Sequence, residues 1–176
     1  MPRTRRNRSR ARGVTAIEAA AAFAIVGSLL AVAVPVFVRE LRASRFVEPV
    51  SGLKAIGRGA VAFAHTRPAS DAFPPSVGLT PEAPPRGVLA PDPPGIWEHE
   101  TWRALGFRPV PEGVPHAFAF AFESVPGESG SRFVARAHGD LDGDGVVSTF
   151  EVRGHALVGE DGARLEPGMY IESELE

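Results

Sequence analysis

"RGVTAIEAAAAFAIVGSLLAVAVP", Arg12 to Pro35, decides how the rest of this chain is read. It is almost wholly apolar, yet one carboxylate, Glu18, stands near its start. The 25 residues from Val14 to Val38 carry that single charge. At the α-helical rise they reach roughly 37 Å, enough to cross a hydrocarbon core of about 30 Å. Alanine and leucine dominate, so helix is the expected conformation. Six arginines precede the span (Arg3, Arg5, Arg6, Arg8, Arg10 and Arg12), and Arg39, Arg42 and Arg45 follow it, offset by Glu40. The excess of cations on the N-terminal side predicts a cytoplasmic N-terminus and a body outside.

Three uses of such a span compete. A secretory signal peptide would be cut after the small residues Ala31-Val32-Ala33, but the apolar run is long for one and Pro35 follows the cut too closely. A plain membrane anchor needs only the length. The third reading comes from the junction itself, "GVTAIEAAAAFAIVGSLLAVAVP", which resembles the type IV pilin family, including the pseudopilins of type II secretion. Gly13 would close a basic leader (residues 1–13), Val14 would be the first mature residue, Glu18 the fifth and Pro35 the 22nd. Val14 stands where the family usually has phenylalanine, and Ala16 where it usually has leucine. The resemblance implies cleavage after Gly13 by a prepilin peptidase, N-methylation of Val14, and helix-first assembly with other pilin or pseudopilin subunits into a filament. Glu18 would then pair with the Val14 amine of a neighbouring subunit, because either charge left buried alone is strongly unfavourable. The simpler role for Glu18 is to complement the positive end of its own helix.

Beyond the span, Phe46, Val50, Leu53, Ile56, Ala60 and Phe63 recur at steps of three and four, giving an apolar stripe over 39–66. Pro35 should loosen or kink the helix. One helix is expected from about Val14 to His65, its first half (14–38) in the membrane and its second half covering a sheet. Gly52, Gly57 and Gly59 on that second half would permit close packing.

From Arg67 the composition changes. Twelve prolines fall between Pro68 and Pro115, which excludes a long helix or a central strand and predicts an irregular connector over 67–115. Trp97, Trp102, Leu105 and Phe107 are expected to anchor it by core packing rather than to form a carbohydrate platform. "HAFAFAFES" (His116–Ser124) and "RFVARAHG" (Arg132–Gly139) each alternate strictly around the turn-forming "VPGESGS", which predicts an antiparallel hairpin. "MYIES" near the C-terminus reads as a further strand. The expected class is α+β and pilin-like: one long N-terminal helix with a small antiparallel sheet (116–176) on its second half. The stretches "FPPSVGLTP" and "PHAFAFAFES" also look like those of deltaproteobacterial pilin-like proteins.

"DLDGDGVVSTFE", Asp140 to Glu151, matches the twelve-residue calcium loop at every defined position. Asp140, Asp142 and Asp144 would supply oxygens at positions 1, 3 and 5, and Gly145 the turn at 6. Val146 would offer its carbonyl, Ser148 would act directly or through water, and Glu151 would bind from position 12. A strand precedes the loop and "VRGHALVG" after it is a poor helix, so the expectation is a Ca2+ staple without EF-hand helices. A solvated acidic turn is the competing reading.

Composition narrows the rest. The chain has 176 residues and no cysteine, which excludes disulfides and thiolate chemistry. Six of its 19 basic residues lie before Gly13, leaving 13 against 21 acidic ones, so the body is acidic and general nucleic-acid binding is not expected. There is no P-loop, no HExxH and no GxSxG, and His65, His99, His116, His138 and His155 are scattered, so no enzyme is expected. His99, between Glu98 and Glu100, reads as a solvated polar turn rather than a metal ligand. The leading expectation is a processed pilin-like subunit with a calcium-stapled head, in the inner membrane and then in a pilus or periplasmic pseudopilus. The alternatives are an unprocessed single-pass membrane protein displaying a calcium-binding domain, and a secreted protein released at Ala33.

Overall fold

A computed structural model describes residues 15–44 and 46–172. The leader 1–13 and Val14 of the expected cleavage site lie outside them. The chain divides into two units, residues 1–40 and 41–176.

Helix α1 (Ala16–Ser44), most of which belongs to the first unit, begins immediately after Thr15 and continues through Pro35. Proline removes one backbone donor, but the remaining ladder holds the helix across it. Residues Ala16–Val38 are long and apolar enough to cross a membrane. The hydroxyl of Ser28 donates to the Ala24 carbonyl at 2.8 Å, which satisfies the one alcohol of the apolar span within the helix itself.

The second unit departs from the expected single helix. Helix α1 ends at Ser44, and a second helix, α2 (Val47–Ala64), begins after Phe46. Pro49 is the third residue of α2, in the first turn, where its missing N–H leaves no intrahelical bond unmade.

The body is a six-stranded antiparallel sheet: β1 (Val77–Thr80), β2 (Phe118–Val125), β3 (Gly130–Gly139), β4 (Ser148–Leu157), β5 (Ala163–Leu165) and β6 (Tyr170–Glu172). Strands β1 to β5 lie side by side in chain order, and β6 joins β4 on the same edge as β5. The expected hairpin is β2–β3, with Phe122 opposite Ala135 and Phe120 opposite Ala137. Strand β4 continues the pattern, setting Phe150 opposite Ala137 and Val152 opposite Ala135. One face of the sheet therefore carries Phe118, Phe120, Phe122, Phe133 and Phe150, all buried. Each such ring contributes about 1.5–3 kcal/mol by leaving water.

Against that face lies α2, with Leu53, Ile56 and Ala60 fully buried. Its glycines set the distance. A Cβ on Gly52 would sit 2.6 Å from the Phe120 ring, and one on Gly59 would meet the Leu105 carbonyl of helix α3 (Glu100–Leu105). The proline-rich connector holds β1, α3 and two short 3-10 turns, so it contributes an edge strand to the sheet. Its anchors are as expected: Trp97, Trp102, Leu105 and Phe107 are all buried. Phe107 packs edge-on to Phe120 with centroids 5.1 Å apart, and the Trp102 indole donates to Thr80 Oγ1 at 3.1 Å.

Candidate functional site

Three groups of polar side chains stand out. The first opens α1. The Thr15 hydroxyl and backbone N–H both donate to Glu18 Oε2 at 2.8 Å, and the Glu18 N–H donates back to Thr15 Oγ1 at 3.3 Å. This is a capping box: the first residue and the fourth satisfy each other's orphan groups. Glu18 thus has a partner within its own chain. Gly13 and Val14, expected to define processing, lie outside the described residues.

The second group is the turn between β3 and β4. Side-chain oxygens of Asp140, Asp142 and Asp144 lie within 4.8 Å of one another. The chain orients them itself. Asp140 accepts from the Gly143 and Gly145 N–H groups at 2.7 and 3.2 Å, Asp142 from Asp144 N–H, and Asp144 from Val146 N–H. Gly143 and Gly145 both take positive φ, which bends the loop tightly enough to bring the carboxylates together. The connector lies alongside, with the Gly87 N–H donating to the Asp140 carbonyl at 2.8 Å.

Glu151, the last side-chain ligand of the motif, is not part of this cluster. Loop residues 140–147 close a hairpin in which Gly139 faces Ser148 and Arg136 faces Glu151. Ser148 is buried and donates to the Gly139 carbonyl at 3.0 Å. Glu151, three residues up the strand, accepts from Arg136 Nε at 2.7 Å and is gripped by Arg153 at 2.6 Å. Burial pushes the Glu151 carboxyl up, but the hydrogen bonds and charges of Arg136 and Arg153 outweigh it and hold the group below the usual carboxylate range. An extended strand carries position 12 away from the loop, whereas a helix would curl it back. Nearby, burial and the Arg136 charge push the His138 imidazole down.

The third group was invisible in the sequence. His116, 1% exposed, lies between two carboxylates: Glu48 Oε1 at 3.2 Å from Nδ1 and Asp92 Oδ2 at 2.7 Å from Nε2. Glu48 also accepts from the backbone N–H groups of Ala117 and Phe118, the latter at 3.0 Å. Asp92 also accepts from Trp97 Nε1 at 2.6 Å. Burial pushes the His116 imidazole down, but the hydrogen bonds and charges of Glu48 and Asp92 prevail, leaving it above the usual histidine value of 6.5. His116 read as one of five scattered histidines because its partners are 68 and 24 residues away. Trp97, Arg108 and Glu112 line a small cleft with Asp92.

Comparison with family models, with curated proteins and with solved structures finds no match to this chain.

Proposed function

We propose that the chain is a type IV pilin-like structural subunit, cleaved after Gly13, N-methylated at Val14, and assembled through its N-terminal helix into a pilus or pseudopilus. One observation carries the reading. Helix α1 starts within three residues of the Gly13–Val14 junction, is apolar over membrane length, and has its lone carboxylate, Glu18, in the first turn. In the precursor, Thr15 holds Glu18. In the filament, the amine freed at Val14 would be the stronger partner, because a charge-assisted pair in apolar surroundings outweighs a hydroxyl contact. The precursor sits in the inner membrane with its N-terminus in the cytoplasm, and its partners are a prepilin peptidase/methylase and other subunits of its kind.

The head is stapled by Ca2+ bound at Asp140, Asp142 and Asp144. Three hard carboxylates drawn to one point are the donor set that calcium selects, with the Val146 carbonyl and water available to complete the shell. Glu151 serves the sheet instead.

A second reading is an unprocessed single-pass membrane protein displaying the same head. It is favoured by the capping box, which accounts for Glu18 without any neighbouring subunit. Mass spectrometry of the protein from its native membrane separates the two. A methylated N-terminus at Val14 supports the pilin-like subunit, and an intact leader supports the anchor. A terminus at Val34 would mean a secreted protein and sink both.

A further inference from the structure

We propose that Glu48, His116 and Asp92 form a proton-dependent clasp that fastens the first turn of α2 and the proline-rich connector to the start of β2. A neutral imidazole carries one N–H, so it can donate to only one of the two carboxylates that flank it. Only the imidazolium satisfies both, and at 1% exposure no bulk water is at hand to replace the lost contact. When the proton leaves, the ring keeps the shorter bond, Nε2 to Asp92 at 2.7 Å. The Nδ1 lone pair then faces Glu48 Oε1 at 3.2 Å, a contact between two acceptors. Glu48 is left with the Ala117 and Phe118 N–H groups alone.

The charged groups within hydrogen-bonding reach of the ring, among the described residues, are Glu48 from α2 and Asp92 from the connector. Trp97 contributes only the face of its indole, 6.4 Å away between centroids. Both charged neighbours favour the protonated ring, which agrees with the upward displacement of its titration. The sign follows. A histidine whose folded value exceeds its unfolded value adds stability that is complete below about pH 6.5 and fades as pH rises through the folded value. The clasp is closed below the folded titration midpoint of His116 and loosens as pH rises through it. It does not depend on how α1 is used.

The test uses the full chain in detergent micelles. NMR of the histidine rings is followed from pH 5 to 10, and amide hydrogen exchange, corrected for its intrinsic pH dependence, is read at Ala117 and Phe118. His116 is expected to titrate above 6.5, and protection of the two amides to fall about tenfold across the same midpoint, as loss of one charge-assisted hydrogen bond requires. Asp92→Asn should move the midpoint down. A His116 midpoint at or below 6.5 in the wild-type chain would overturn the proposal, whatever the variant does. So would amide protection that ignores the charge on His116.

Discussion

Replacing Glu48 by alanine removes one carboxylate from three donors at once. Two are backbone N–H groups at Ala117 and Phe118, residues that are 1% and 0% exposed, and a third is the His116 ring nitrogen. A further effect is the loss of an acidic residue from the first turn of α2, worth about 0.3–1 kcal/mol. Each buried donor left without that acceptor costs about 1–3 kcal/mol, and alanine returns only a few tenths through helix propensity. Water entering the truncated site offsets part of the cost, so the net loss should be about 3 kcal/mol. For a chain of this size that lowers the thermal midpoint by roughly 10 °C. Near-UV circular dichroism of the full chain in detergent reads it, because Trp97 and Trp102 both lie in the affected core. Glu48→Gln keeps an acceptor for the amides and should lose less than half as much. Glu128→Ala, at an exposed loop, controls for a change of one charge. A Glu48→Ala midpoint within 2 °C of wild type would refute the accounting and show the network to be energetically idle.

Gly52→Ala improves helix propensity by about 1 kcal/mol but drives a Cβ to 2.6 Å from a Phe120 ring boxed in by Phe107 and Trp97, so denaturant unfolding should show a net loss of about 1 kcal/mol. Calcium is expected to raise the thermal midpoint of the full chain, and Asp142→Asn should abolish that rise. Glu151→Gln should lower the midpoint with and without calcium by the same amount, since its partners are Arg136 and Arg153. Glu18→Ala should leave membrane insertion intact, weaken the cap of α1 and impair the proposed incorporation into filaments, read by co-sedimentation.

How much of this was legible in the residues varied with distance along the chain. The β2–β3 hairpin could be read outright, because strict Phe/Ala alternation fixes which side chains share a face and thereby the register. The membrane-length helix could be read for the same reason: its signal is local. Strand β4 alternates as well, with Phe150, Val152, Gly154 and Ala156 facing the core, but its first residues double as the tail of a calcium motif and drew the eye to ligation. That overlap also explains Glu151, which the motif assigns to a metal and the strand assigns to Arg136. The start of α2 at Val47 is compatible with Pro49, a residue whose meaning depends on whether it falls in the first turn or the interior. The Glu48–His116–Asp92 network was beyond sequence reasoning, since only the folded chain brings three isolated residues from helix, connector and strand to one point.

The way β4 is flanked has a consequence for a molecule that would be held at high density in a membrane or filament. A bare ten-residue strand offers an unbroken row of backbone donors and acceptors to any passing chain. Here that row is occupied by two separate three-residue strands, β5 at one end and β6 at the other, and the opposite margin of the sheet is the four-residue β1, followed directly by Pro81. Neither margin is long enough to template another molecule's strand. Margins this short disfavour edge-to-edge pairing of heads crowded side by side.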